Sequence, residues 1–332
     1  MIAAGLDVGT TSVKALALDT ESGEVLASAE HGYSFETPRA GWVEQDPELW
    51  WSAAQLALDS FGEGGAVPET IGLSGQMHGL VALDAEERVL RPALLWNDQR
   101  SVLETAEIED RLGGLQGTVA ATGNRALTGF TAPKLLWMAR QEPALYERIS
   151  SVMLPKDYVR LRLCGERATA VTDASGTLWF DVERRAWSEH VLSALEVDPG
   201  WLPRAEESAA VTGLAANGVP VAAGAGDQAA ASVGVGADRT GVVSVALGTS
   251  GVVFSALPAY AADQSARVQT SCHAVPGRWF AMGVMLSAAG SLTWVRDVTG
   301  GAEFAELLAE AERWPPGTDG LRFLPYWGSS AT

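Results

Sequence analysis

Short apolar runs, separated by glycine- and hydroxyl-rich turns, open this sequence. Apolar residues at positions 2–6, 13–19 and 24–31 predict three strands of a meander joined by tight turns. The pattern becomes helical over residues 47–60, where Asp46 stands at the N-cap position. A meander followed by a helix indicates an α/β class.

Strand and helix patterns continue through the rest of the chain. They predict strands at residues 69–74, 80–84 and 219–223, and helices at residues 101–112, 133–141, 157–164, 228–235, 280–295 and 303–313. Proline and glycine are densest near residues 198–203 and 217–220. We therefore expect an N-terminal domain of residues 1–216 and the start of a C-terminal domain over residues 217–332, each built on a mixed sheet flanked by helices.

One turn motif occurs twice. Residues 5–12, Gly-Leu-Asp-Val-Gly-Thr-Thr-Ser, return as residues 244–251, Ser-Val-Ala-Leu-Gly-Thr-Ser-Gly. Glycine lets backbone N–H groups approach a phosphate, and neighbouring hydroxyls can donate to the same oxygens. Asp7 stands only in the first copy, opposite Ala246, which fits a single Mg²⁺ ion bridging phosphate oxygens. Two ordinary β-hairpins with Gly-Thr turns are the structural alternative.

Composition and charge exclude several classes of protein. With 332 residues, 47% of them hydrophobic, and 12 Trp, the chain can fill two cores. A formal net charge of −18 disfavours nucleic acid and anionic membranes as partners. The longest uncharged apolar segment, residues 279–295, is short for a membrane span, and no signal-peptide pattern precedes the first strand. Cys164 and Cys272 indicate no disulfide framework, so we expect a cytoplasmic protein.

Asp227 is the candidate general base. It follows a predicted strand and opens a predicted helix in the run Gly224-Ala225-Gly226-Asp227-Gln228. Open α/β folds present ligand-contacting groups at such strand ends, and hydroxyl phosphorylation needs a carboxylate that accepts the hydroxyl proton. Because Asp is also a preferred helix cap, a purely structural role is the alternative.

Two further loops carry groups suited to a polyol. In Ser74-Gly75-Gln76-Met77-His78-Gly79, His78 could donate to a sugar hydroxyl while Met77 packs on its carbons. The run Trp96-Asn97-Asp98-Gln99-Arg100 offers an aromatic face, an amide, a carboxylate and a cation. The structural alternatives are a histidine satisfied within a turn and an Asp98 that caps the next helix.

A dinucleotide-binding enzyme is a competing interpretation. Gly224-x-Gly226-x-x-Ala229 follows a predicted strand, as the Rossmann fingerprint does. The next strand, however, ends in Gly248-Thr249-Ser250 rather than in the acid that would bind a ribose. No Gly-Lys-Ser/Thr sequence occurs, which removes the Walker-type loop as well.

The motifs together resemble a known family. Asp7-Val8-Gly9-Thr10-Thr11, Gln76-Met77-His78-Gly79, Trp96-Asn97-Asp98-Gln99-Arg100, Gly129-Phe130-Thr131-Ala132-Pro133-Lys134 and Gly226-Asp227-Gln228 occur in the order and approximate spacing of the xylulokinase branch of the FGGY-type carbohydrate kinases. The resemblance runs from Met1 to about Pro325. It implies a two-domain actin-like ATPase fold, related to ribonuclease H, and ATP-dependent phosphorylation of D-xylulose at O5 with Mg²⁺.

The resemblance also implies residue roles. Asp227 would be the catalytic base and Asp7 the metal-linked catalytic carboxylate. The sugar would contact Met77, His78, Trp96, Asn97, Asp98, Asp227 and Gln228, and the nucleotide Gly9, Thr10, Thr11, Gly248, Thr249 and Ser250.

Family members are longer, so we expect a C-terminally truncated chain whose second domain is incomplete and lacks an adenosine-binding region. The alternatives are another sugar or polyol kinase of the same family, or a catalytically weak fragment that binds sugar. The expected partners are D-xylulose and ATP, and a homodimer stays open.

Overall fold

The computed structural model describes residues 1–248 and 250–324. Thr249 and the C-terminal residues 325–332 lie outside the described residues. The strands are β1 (Ile2–Val8), β2 (Ser12–Asp19), β3 (Val25–Gly32), β4 (Glu44–Gln45), β5 (Thr70–Gly75), β6 (Val81–Leu83), β7 (Ala93–Leu94), β8 (Ser151–Met153), β9 (Ala168–Ala170), β10 (Phe180–Asp181), β11 (Ala186–Trp187), β12 (Arg204–Glu206), β13 (Val211–Leu214), β14 (Pro220–Ala222), β15 (Ala225–Gly226), β16 (Val243–Leu247), β17 (Gly251–Leu257), β18 (Gln269–Cys272) and β19 (Trp279–Met285).

The helices are α1 (Pro47–Glu63), α2 (Val102–Arg111), α3 (Gly114–Thr122), α4 (Thr131–Gln141), α5 (Pro143–Tyr146), α6 (Pro155–Cys164), α7 (Val171–Ala174), α8 (Glu189–Ala194), α9 (Asp227–Gly234), α10 (Ala289–Val298) and α11 (Phe304–Ala311). Within the described ranges, none of these helices is long and apolar enough to cross a membrane.

The first sheet has the strand order β13-β14-β5-β1-β2-β3, with β15 also paired to β5. Strands β1, β2 and β3 form the predicted antiparallel meander, while β1 and β5 run parallel. The predicted cap of α1 is confirmed, because Asp46 Oδ1 accepts a hydrogen bond of 3.0 Å from the Glu48 amide. Helix α1 covers one face of the sheet and buries Trp50 and Phe61 completely.

A second, four-stranded sheet has the order β16-β17-β19-β18 and is antiparallel throughout. Its first two strands are the repeat of the N-terminal hairpin. The prediction of one helix over residues 280–295 is wrong: the segment begins as β19, and helix α10 follows it. Phe280 and Met282 are buried on one face of β19, so the long apolar run reflects a strand inside a sheet rather than a helical stripe.

The boundary predicted between residues 216 and 217 falls between β13 and β14, which pair with each other in the first sheet. Strands β14 and β15 also pair with β5, so the first sheet is completed only at Gly226. The second sheet begins at Val243. It is tied to the first unit through the buried Asn124 side chain, which donates to Thr270 O at 2.8 Å and accepts from Thr270 N at 2.9 Å.

Candidate functional site

Parallel strands bring two carboxylates to one edge of the first sheet. Asp7 of β1 lies level with Ser74 of β5, and Ser74 lies level with Ala225 of β15, two residues before Asp227. The Ser74 hydroxyl donates to Asp7 Oδ1 at 2.9 Å. Because β1, β5 and β15 run parallel, their carboxyl ends meet at the edge where open α/β sheets bind ligands.

Asp227 is the first residue of α9, and Gly226 occupies the N-cap position. The carboxylate accepts a hydrogen bond of 2.7 Å from the amide of Gln228. Loss of water, together with the negative charges of Asp7 and Asp173, raises the pKa of Asp227 to about 7. A carboxyl group with a pKa near neutrality is well matched to accepting a hydroxyl proton at physiological pH.

Asp227 lies on the wall of a cavity of about 190 Å³. We call it the small cavity; it is lined by Thr10, Gln76, Met77, His78, Trp96, Gln99, Leu127, Thr128, Gly129, Phe130, Asp227, Gln228, Ser250, Val252, Gln269, Met282, Val284 and Leu286. Its volume is below the roughly 300 Å³ at which drug-sized pockets begin, so it suits a small metabolite.

A larger cleft of about 1160 Å³ lies against the open face of the first sheet. Asp7 and Ser74 line this cleft, and Asp227 and Gln228 line both the cleft and the small cavity. The candidate base therefore stands between a pocket of metabolite size and the space that holds the other carboxylate.

His78 is a neutral side chain in the wall of the small cavity. Its Nδ1 lies 2.8 Å from Gly176 O, which makes Nδ1–H the donor and leaves Nε2 as an acceptor. Burial lowers the pKa of His78 to about 4, so the ring carries no charge at neutral pH. A Cβ at position 176 would lie 2.4 Å from Nδ1, so the ring requires glycine there.

The backbone of His78 is held in a left-handed conformation, with φ of 70°. Its carbonyl accepts hydrogen bonds from Thr131 Oγ1 at 3.1 Å and from Lys134 Nζ at 2.9 Å. Lys134 also donates to Gly129 O at 2.6 Å, and burial lowers its pKa to about 7. The Gly-Phe-Thr-Ala-Pro-Lys run thus positions the histidine of a different segment.

Thr10 connects the first loop to the small cavity. Its hydroxyl accepts a hydrogen bond of 3.1 Å from the Trp96 indole and donates one of 3.3 Å to Gln76 Oε1. The Gln76 side chain amide donates to Gly9 O at 3.2 Å. Thr11, the next residue of the loop, is exposed.

Some side chains of residues 96–100 line the small cavity, and others hold this segment in place. Trp96 and Gln99 line the small cavity, whereas Asn97 and Asp98 do not. Asp98 is fully buried, pairs with Arg100 at 2.8 Å and accepts from the Val43 amide at 2.6 Å. The Arg100 guanidinium packs on two tryptophan rings, at 3.9 Å from Trp42 and 4.9 Å from Trp137. Asp98 therefore braces this segment, and a sugar contact by Asn97 or Asp98 stays a prediction.

Each predicted phosphate loop closes a β-hairpin. The amide of Gly9 donates to Ser12 O at 3.0 Å, and that of Gly248 donates to Ser250 O at 2.9 Å. Ser250 faces the small cavity, while Thr249 lies outside the described residues. Phosphate binding by these loops stays a prediction.

The donors at the strand ends fit a magnesium ion that is shared with phosphate. Among the described residues, no group of three or more His, Cys, Asp or Glu is arranged to hold a metal. Mg²⁺ keeps several waters and is commonly bound by one or two carboxylates together with substrate phosphates. Asp7, which shares the larger cleft with Asp227, supplies such a carboxylate.

Several wall residues were not predicted as site residues. Gln99 and Thr128 hydrogen-bond to each other at 2.8 Å, and Phe130 packs edge-on against His78 with ring centroids 4.9 Å apart. Gln99 and Phe130 lie within the motifs of residues 96–100 and 129–134, so the sequence could have indicated them as site residues. Gln269 and Met282 come from the second sheet, and no local pattern marked them.

Comparisons with known proteins agree with this architecture. Residues 2–234 match the N-terminal domain of the FGGY family of carbohydrate kinases. The chain belongs to this family. Several relatives are named xylulose kinase. The one from Escherichia coli is 41% identical, over 99% of this chain and 69% of the relative. The one from Lactococcus lactis is 40% identical, over 97% of this chain and 66% of the relative. The chain thus spans about two thirds of the length of these relatives.

Solved structures of sugar kinases share the fold. A structure described as a xyloylose kinase from Brucella ovis is 42% identical with a TM-score of 0.87, covering 93% of this chain and 65% of that one. The xylulose kinase from Rhodospirillum rubrum is 29% identical with a TM-score of 0.91, covering 98% of this chain and 70% of that one. These matches confirm the predicted actin-like ATPase fold of an α/β carbohydrate kinase.

Proposed function

We propose that this chain takes part in transferring the γ-phosphoryl group of ATP to O5 of D-xylulose. The observation that carries the proposal is the place of Asp227, a half-buried carboxyl with a pKa raised to about 7 that lines both the small cavity and the larger cleft. The names of the relatives favour D-xylulose among small sugars.

Asp227 accepts the proton of the sugar hydroxyl as that oxygen attacks the γ-phosphorus. The O5–P bond forms while the bond from phosphorus to the leaving oxygen of ADP breaks, and the proton stays on the carboxylate. His78, as a neutral acceptor at Nε2, orients a hydroxyl of the sugar, while Met77 and Trp96 pack on its carbons. Mg²⁺, held by Asp7 together with the phosphates, would supply positive charge that offsets the charge of the transferred group.

In this proposal the small cavity holds the sugar, and the loops of residues 9–11 and 248–250, together with Asp7, hold the phosphates. In this proposal the two domains of residues 1–216 and 217–332 share the site, since Ser250, Gln269 and Met282 of the second sheet complete the small cavity. A cytoplasmic location, where ATP is available, belongs to the same proposal.

An ADP-release assay with a panel of pentuloses, hexuloses and polyols tests the proposal. We expect turnover with D-xylulose, and ³¹P–¹³C coupling in the product should place the phosphate on C5. The variant Asp227→Asn should lose at least about 100-fold in kcat with the preferred sugar. Turnover with glycerol but not with D-xylulose would assign the chain to another branch of the family, and no turnover with any sugar or polyol would refute the proposed reaction for this chain.

A further inference from the structure

The position of the Asp227 carboxylate depends on its backbone. Within the described residues its hydrogen bonding is to Gln228, the next residue in the chain. No hydrogen bond from a remote side chain holds the carboxylate in this part of the structure. Whatever fixes the segment of residues 223–226 therefore fixes the candidate base as well.

Both ends of that segment are anchored in the interior. The Gly226 amide donates to Thr172 Oγ1 at 3.1 Å, and the Thr172 hydroxyl donates to Asp173 Oδ2 at 2.8 Å. Because the hydroxyl hydrogen goes to the carboxylate, a lone pair of Oγ1 is left for the Gly226 amide. At the other end, the Arg160 guanidinium donates to Ala223 O.

The two anchors belong to one buried charged network. Lys156 Nζ joins Asp157 at 2.6 Å and Asp173 at 3.3 Å, and Arg160 joins Asp157 at 2.7 Å. All four charged side chains are fully buried. Buried ion pairs are weak contributors to stability compared with apolar packing, and one of their documented uses is to specify a single arrangement of the chain. Here the network includes the groups that anchor both ends of the turn before Asp227.

Met77 fits the same arrangement from the other side. A Cβ at position 226 would lie 2.7 Å from Met77 Cγ and Sδ, so Met77 packs directly on the Gly226 backbone. A shift of the Gly226 amide would move both the start of α9 and the contact with a wall residue of the small cavity.

We propose that Thr172 is a positioning residue for the phosphoryl-transfer site: its hydroxyl, oriented by Asp173, holds the Gly226 amide and so sets where the Asp227 carboxylate stands. The role of Asp227 as the base rests on the proposed function. The anchoring of Gly226 by Thr172 rests on the hydrogen bond between them and is independent of that function.

Three variants separate positioning from general stability. Thr172→Val removes the hydroxyl at nearly constant shape, and Thr172→Ser keeps it. Thr169→Val is the matched control, because the Thr169 hydroxyl is also fully buried but has no hydrogen-bond partner among the described residues. Each variant is examined by hydrogen–deuterium exchange of the peptide that contains Gly226 and by kcat and KM for D-xylulose.

We expect Thr172→Val to speed exchange at Gly226 and to lower kcat roughly 10- to 100-fold, since a misplacement of about 1 Å can cost 10²-fold in rate. The KM for D-xylulose should change far less than kcat, because His78 and Trp96 stay in place. Thr172→Ser and Thr169→Val should both behave like the wild type.

Unchanged exchange at Gly226 in Thr172→Val would overturn the anchor. Faster exchange with an unchanged kcat would overturn the link to Asp227, and equal losses in Thr172→Val and Thr169→Val would show a general structural effect instead. If the wild type has no turnover, the proposed function fails while the exchange data still decide whether Thr172 holds Gly226.

Discussion

Replacing Asp227 with Asn should stabilise the fold at alkaline pH while removing phosphoryl transfer. The carboxyl is half-buried, and its loss of water, aided by the charge of Asp7, raises its pKa from 3.8 to about 7. At pH 8 this group is ionised in the native protein, where it is poorly solvated, and it is also ionised in the unfolded chain, where water solvates it fully. Asparagine fills the same space without the charge.

The size of the effect follows from the shift in pKa. About three pH units at about 1.36 kcal/mol each amount to about 4 kcal/mol, which is an upper bound because the side chain is only half-buried and solvent screens its charge. Above the pKa of about 7 that Asp227 has in the folded protein, ionisation lowers the free energy of unfolding by the full amount. This loss disappears as the pH falls towards 3.8, the pKa in the unfolded chain. The advantage of Asp227→Asn should therefore be largest at pH 8 and shrink by more than half at pH 5.

Urea unfolding at pH 8 and pH 5, together with ADP-release kinetics, measures both consequences. Asp59→Asn on the exposed side of α1 is the matched control and should change neither the free energy of unfolding nor kcat. We expect kcat of Asp227→Asn to fall by at least about 100-fold, the lower end for a positioned base. A variant that is no more stable at pH 8, or equally stabilised at pH 5, would refute the burial argument. A kcat above about a tenth of the wild type would refute the role as base.

Further predictions concern the other side chains of the site. Asp7→Asn should weaken the response of turnover to Mg²⁺ and leave D-xylulose affinity nearly intact in calorimetry; lost sugar affinity with a normal Mg²⁺ response would contradict this. D-Xylulose should quench tryptophan fluorescence, mainly that of Trp96, and His78→Ala should abolish the quenching; a response to glycerol alone would point to a different sugar. Gly226→Ala places a Cβ 2.7 Å from Met77 and should cost about 1–3 kcal/mol in urea unfolding through overpacking, whereas an unchanged midpoint would show that the thioether moves aside.

Local patterns determined much of the architecture. The two repeated hairpins, the cap of α1 at Asp46 and helix α9 were predictable because turn residues and short-range periodicity act within a few positions. The order and spacing of the Gln-Met-His-Gly, Trp-Asn-Asp-Gln-Arg and Gly-Asp-Gln runs were sufficient to indicate the carbohydrate kinase family.

Other features were decided only by the tertiary structure. The apolar run after Trp279 is compatible with a strand or a helix, and pairing with β17 and β18 makes its first part a strand. Asp98 carries a carboxylate of the kind that binds sugar hydroxyls. In the structure, however, this carboxylate accepts hydrogen bonds from the Arg100 guanidinium and from the amide of the distant Val43. The anchor from Thr172 to Gly226 joins residues 54 positions apart. Sequence periodicity reports which face of an element is apolar, whereas the partner of a buried polar group is set by contacts between elements that are far apart along the chain.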